Sequence, residues 1–151
     1  MTTIEISQDY GYVLAAAVST FLVSSWLGAR VSPFRKAAKI PYPYEYASYE
    51  QVQTAPPQRQ KALDTFNRAQ RGHQNFNENH LSMLGSLFIA GITRPKLAAG
   101  MGLFWSVNRV LYGIGYTRGG EKGRYWGVGW MLAQYGLIIM AGKTAWDVVM
   151  A

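Results

Sequence analysis

Arg68-Ala-Gln-Arg-Gly-His-Gln-Asn-Phe-Asn-Glu-Asn-His80 runs without a break into Leu81-Ser-Met-Leu-Gly-Ser-Leu-Phe-Ile-Ala-Gly91. A dense polar segment thus leads into an apolar one that is about half as long as an ordinary membrane span. On a helix Arg71, Asn75 and Glu78 fall at i, i+4 and i+7, so a guanidinium, an amide and a carboxylate share one face. Ionisable groups entering a bilayer are costly unless they pair or line a watery cavity, and the stripe therefore reads as a site for a charged, peptide-like ligand.

On either side of this stretch the chain is more apolar. Tyr10 to Gly28 carries no charge and is long enough to cross a hydrocarbon core of about 30 Å. Tyr125 to Ala141 is a second uncharged stretch, and Leu97 to Tyr116 is a third segment, interrupted by Asn108 and Arg109. The reading is a single membrane domain over residues 1–151, an all-α four-transmembrane-helix bundle with spans near 10–29, 67–92, 96–116 and 124–148 and a cytosolic loop over 30–66. The interrupted segments would also suit core helices of a soluble bundle. Against that, Tyr10, Tyr12, Trp26, Tyr116, Tyr125, Trp126 and Trp146 flank the segments, where amphipathic rings settle at a lipid boundary. Glycines such as Gly85, Gly91, Gly100 and Gly102 lie inside them, disfavoured in water but useful for close packing in lipid. The first nine residues hold Glu5 and Asp9 and no cation, so a cleavable signal peptide is not expected.

Charge sets the orientation. Arg30, Arg35, Lys36, Lys39, Arg59, Lys61, Arg68 and Arg71 precede or open the second span, and Arg118, Lys122 and Arg124 fill the third connection. The second connection has only Arg94 and Lys96, so the first and third loops are assigned to the cytosol and both termini to the lumen. This distribution accounts for most of the net charge of +7; no zinc-finger, helix-turn-helix or single-strand-binding pattern accompanies it, and nucleic acid is not an expected partner. With no cysteine, the chain has no disulfide, no thiolate ligand and no catalytic thiol, so thiol chemistry needs a thiol from outside. His73 and His80 stand seven apart without partner ligands, and no metal site is assigned.

Within the first loop, 31–39 reads as a basic continuation of the first helix interrupted at Pro33, 40–46 as extended chain around Pro41 and Pro43, and 48–60 as an exposed loop. Arg109, Tyr112 and Tyr116 recur at i, i+3 and i+7 and share a face that can meet the Arg71 stripe. Arg109 can pair with Glu78 inside the bundle, and that pairing is compatible with ligand binding by Arg71, Asn75, Tyr112 and Tyr116. Thr117-Arg-Gly-Gly-Glu-Lys-Gly-Arg124 reads as a flexible basic turn able to bring a cation to a bound anion.

Arg71-Gly-His-Gln-Asn75 with Glu78, followed by Asn108-Arg-Val-Leu-Tyr-Gly-Ile-Gly-Tyr116, resembles the membrane-associated proteins in eicosanoid and glutathione metabolism (MAPEG), above all the branch of the third microsomal glutathione transferase. Tyr10-Gly-Tyr-Val-Leu14, Arg35-Lys36 with Tyr42-Pro43, Phe66-Asn67 with Gln70-Arg71, and Ala99-Gly-Met-Gly-Leu103 fit the same branch. The resemblance covers most of the chain outside 48–63. It implies a homotrimer with active sites between subunits, open to the cytosol, in the endoplasmic reticulum or alternatively the outer mitochondrial membrane. Its implied co-substrate is glutathione, conjugated to lipophilic electrophiles or used to reduce lipid hydroperoxides drawn from membrane lipid.

By position, Arg71, Asn75, Glu78, Tyr112 and Tyr116 match the family's glutathione contacts, Arg35 a contact from the adjacent subunit, and Arg109 a buried arginine of the same face. Glutathione carries two carboxylates and an ammonium, complementary to Arg35, Arg71 and Glu78. Related leukotriene-C synthases place a thiolate-stabilising arginine just after the third span, where this chain has Gly123. Arg124, ahead of Lys122, is the expected substitute, and Lys36 matches a second cation near the sulfur. Asn79 stands where relatives often have an aromatic ring. Gly123 also suggests an alternative, a non-catalytic lipid-binding or scaffold protein on the same fold. A channel lined by Arg109 and Glu78 is a further alternative, without the charged ring a pore would need.

Overall fold

A proline or a small polar residue stands at the start of four of the five α-helices. The computed structural model describes residues 6–150, and the regular elements among them are helical. They are α1 (Tyr10–Ala38), α2 (Tyr49–Thr54), α3 (Pro57–Thr93), α4 (Pro95–Arg118) and α5 (Trp130–Met150), with a 3-10 segment over Gly120–Gly127. α3 and α4 both start on a proline, whose missing N–H costs nothing in a first turn. α3 is 37 residues long, roughly 56 Å, so it continues well beyond any hydrocarbon core and carries the polar segment at its first half.

α3 packs against α1, α4 and α5, and α4 against α1 and α5. The main core joins Val13 of α1, Phe76, Met83 and Leu87 of α3, Trp105 of α4 and Leu137 of α5. On α1 the buried positions Val13, Ala16, Ala17, Thr20, Leu27 and Val31 follow the helical repeat. A second cluster gathers Val31, Ile40, Ala47, Val52, Leu63 and Phe66, closing the first loop over the front half of α3. Outward faces of α1, α4 and α5 expose large apolar side chains, among them Leu22, Phe104, Val107, Leu132 and Ile139.

Three expectations need correction. α1 is not interrupted at Pro33 but continues to Ala38, because Arg30 reaches α4, donating to the Gly113 carbonyl and to Thr117 Oγ1 at 2.7 Å each, and Val31 and Arg35 are buried on either side of the proline. Residues 48–60 are not simply loop: Ser48 and Gln51 form a reciprocal capping box that starts α2. The fourth helix starts at Trp130 and not at 124, and the basic turn before it is wound into the 3-10 segment. Gly127 and Gly129 press that segment onto the backbone and side chain of Asn108, which splits the uncharged stretch from Tyr125 between two elements. Among the described helices α1 passes as a membrane span by length and composition. The others are diluted by the polar half of α3, by Asn108 and Arg109 in α4, and by Lys143 and Asp147 in α5.

Candidate functional site

α3 presents Arg71, Asn75 and Glu78 on one face, as their spacing predicts. Arg71 Nη1 donates to Glu78 Oε1 at 2.6 Å, and both side chains keep more than two fifths of their surface exposed (42% and 45%). An ion pair so open to solvent is weakly held and can exchange one partner for a ligand's charges. Arg109 has the opposite setting: it is 1% exposed, and Nη1 donates to Asn75 Oδ1 at 3.0 Å. Its Nε and Nη2 are buried without a hydrogen-bond partner. Rings of Phe76, Trp105, Tyr112 and Trp130 surround the guanidinium, 4.7 to 5.5 Å from its carbon, and spread its charge over π faces. Arg109 therefore does not pair with Glu78 directly; Asn75 stands between them, bonded to the arginine, while Glu78 pairs with Arg71.

Tyr112 and Tyr116 meet edge to face, with ring centroids 5.6 Å apart, and extend the cluster toward the end of α4. Arg124 lies close enough to both tyrosines for its charge to be felt there, while its Nη2 donates to Tyr125 Oη at 2.8 Å. Lys122 and Lys36 are exposed and form no ion pair among the described residues. Arg35 belongs to another neighbourhood of this subunit: it is buried, donates to the Tyr44 carbonyl at 2.6 Å and stacks on Tyr42 and Phe66.

Three residues of this neighbourhood, Tyr46, Asn67 and Gln74, were not assigned to the site from the sequence. The Tyr46 hydroxyl donates to Gln74 Oε1 and lies near Arg71, Glu78 and Tyr116. Burial pushes its pKa up, with Glu45, Glu78 and Tyr116 adding to the rise and Arg71 opposing it, so the phenol stays a proton donor at neutral pH. Asn67 clamps the strap that carries Tyr46, the chain over 39–48 between α1 and α2, by accepting from Ala47 N–H at 2.8 Å and donating to the Ala47 carbonyl at 3.0 Å. Asn67 and Gln74 continue the α3 stripe at i−4 and i+3 from Arg71, and that periodicity was the available signal.

Residues 13–146 match the model of the MAPEG family. The chain belongs to the MAPEG family. MAPEG proteins are membrane-associated, use glutathione as co-substrate, and include glutathione transferases, peroxidases and leukotriene synthases.

Within a MAPEG chain, two departures now have a physical account. At Gly123 an added Cβ would overlap the Gly115 carbonyl, because the 3-10 segment rests backbone to backbone on the last turn of α4. No side chain fits there, so a cation for this region must come from a neighbouring position. Asn79 replaces an aromatic ring with an interhelical tie. Its Nδ2 donates to the Asn75 carbonyl at 2.8 Å, and its Oδ1 accepts from Gln134 Nε2 at 3.2 Å. Gln134 Nε2 also donates to Ser82 Oγ, and Gln134 Oε1 accepts from Trp105 Nε1, joining α3, α4 and α5 behind the site. His80 bonds Thr20 and His73 faces Asn77, so each imidazole has a polar partner within the bundle.

Proposed function

We propose that this protein is a membrane glutathione transferase or peroxidase of the third microsomal type, working as a homotrimer of four-span subunits in the endoplasmic reticulum. The observation that carries the reading is Arg109, a buried guanidinium with two unpartnered nitrogens, set behind an exposed Arg71–Glu78 pair on a helix read as entering the membrane. An exchangeable pair of opposite charges, backed by Asn75 and the buried cation it holds, fits a zwitterionic peptide better than a scaffold surface. The apolar outer faces of α1, α4 and α5 support burial in lipid. The exposure of Arg71 and Glu78 in one subunit supports completion of the site by a second.

Glutathione would supply the thiol whose thiolate attacks a lipophilic electrophile or reduces a lipid hydroperoxide. The chain's own residues have separate tasks. Arg71 binds a carboxylate, Glu78 the ammonium, and Asn75 a peptide amide while holding Arg109. Tyr112 and Tyr116 wall the site and exclude water. Arg124 brings the cation that stabilises the deprotonated sulfur, a role for which its permanent charge suits it better than Lys122. Arg35 and Lys36 act on the site of an adjacent subunit, Arg35 as a carboxylate contact and Lys36 beside the leaving group.

Reconstituted protein should conjugate glutathione to a hydrophobic aryl halide or reduce a fatty-acid hydroperoxide, and Arg71→Ala should remove glutathione binding. Full activity in Arg71→Ala and Arg124→Ala together would refute the assignment. Tight lipid binding without glutathione binding would favour the non-catalytic alternative.

A further inference from the structure

A polar recess opens along residues 57–68 of α3, ending one turn before Arg71, between α3, the end of α4 and the turn at Gly120, with a volume of about 340 Å³. Lys61, Arg68 and Arg118 line it, and Asp64 is the one carboxylate on its wall. Asp64 approaches Arg68 only to 3.8 Å, longer than a hydrogen bond. Lys61 and Arg118 have no ion-pair partner among the described residues. Behind the wall, Arg30 donates to Thr117 Oγ1 and lies near enough to Arg118 for the two guanidiniums to repel. The Gly120 turn, at φ 64°, passes close beneath Arg68, whose Nη1 is 3.6 Å from where a Cβ would project.

Cations gathered in a concave recess with too little protein anion to balance them repel one another, and a bound anion relieves that repulsion. Two guanidiniums and an ammonium converging on one recess match the several acceptor oxygens and double charge of a phosphate monoester better than the single charge of a carboxylate. Arg68 stands at the very start of the segment read as the second span and Arg118 two residues past the third, the depth at which headgroup phosphates of the cytosolic leaflet lie.

We propose that this recess binds a phosphate monoester, presented by a phosphorylated lipid headgroup or by a soluble phosphate ester, at a site separate from the one assigned to glutathione. The lipid source rests on the membrane reading above; the soluble source does not.

The test uses the full-length protein in phosphatidylcholine nanodiscs containing either a phosphatidylinositol monophosphate or phosphatidylserine, with retained lipid measured by native mass spectrometry. Inorganic phosphate is titrated in parallel by calorimetry into protein in detergent. The double variant Lys61→Gln, Arg118→Gln is compared; both side chains are exposed and make no hydrogen bond among the described residues, and its unfolding temperature checks that the fold is kept. Preferred retention of the phosphorylated lipid, falling by about tenfold in the variant with glutathione binding unchanged, supports the lipid source. Phosphate binding that the variant abolishes, without lipid preference, supports the soluble source. Equal retention of both lipids, together with phosphate binding that is absent or indifferent to the variant, overturns the proposal. Glutathione binding, read separately, tells failure of this site from failure of the enzymatic reading.

Discussion

On the side of α4 that faces α3, Arg109 is buried with two nitrogens unpartnered; on the side that faces the 3-10 segment, Gly115 and Gly123 touch with no room for a methyl group. The first face is charged and under-satisfied, and the second is apolar, short-range and complete. An incomplete polar face gains from a ligand, whereas a close-packed backbone contact gains only from staying as it is. The contrast explains why the cation expected near the sulfur is missing from position 123: that position serves the packed face. Arg124, one residue on, exposed and bonded to Tyr125 Oη, is the side chain proposed to serve the open one.

The largest effect should come from forcing the two faces to trade roles. Gly123→Arg restores the cation at the ungapped family position but drives a side chain into the Gly115 carbonyl; stability should fall by about 3 kcal/mol or more, read as a lowered unfolding temperature in detergent. A stable, more active variant would break the comparison. Next is Arg71→Ala, which should weaken glutathione binding by about a hundredfold in calorimetry while leaving the unfolding temperature close to that of the parent. Arg124→Ala should lower kcat by about tenfold at neutral pH and leave KM nearly unchanged. That deficit should shrink as pH rises past about 8.5, where the thiol ionises unaided.

The smallest effect concerns the strap. Tyr46→Phe removes the bond to Gln74 and should cost about 1 kcal/mol of stability. Because the folded-state pKa of Tyr46 is raised, its contribution is fully present below about pH 10 and is lost only as pH climbs through the higher folded value. A strap contribution that vanishes between pH 6 and pH 8, roughly the range where histidine titrates, would mean that another group holds it.

The long helices and the Arg71, Asn75, Glu78 stripe were legible because helical periodicity is a local property: i, i+4 and i+7 share a face whatever the rest of the chain does. The four-span reading drew on apolar segments and their aromatic flanks, and α1 is the described helix that passes on length and composition. α2 could have been read from Ser48 and Gln51, whose spacing is that of a capping box. The 3-10 segment could not. It depends on Gly123 meeting Gly115 and Gly127 meeting Asn108, close approaches between separate elements that no window of sequence encodes. Partner choice was hidden for the same reason. Arg71, Asn75 and Glu78 share a face by spacing alone, but that Arg109 bonds Asn75 and not Glu78 is decided by the rotation of α4 against α3. Tyr46 reaches Gln74 across 28 residues, through a strap held by Asn67.

The most direct test is the ultraviolet thiolate absorbance of glutathione bound to the detergent-solubilised protein, followed across pH. The account predicts saturable binding and a thiol that ionises well below its free value of about 8.5, with the shift reduced in Arg124→Ala. A bound thiol that titrates like free glutathione, or no binding at all, would contradict it.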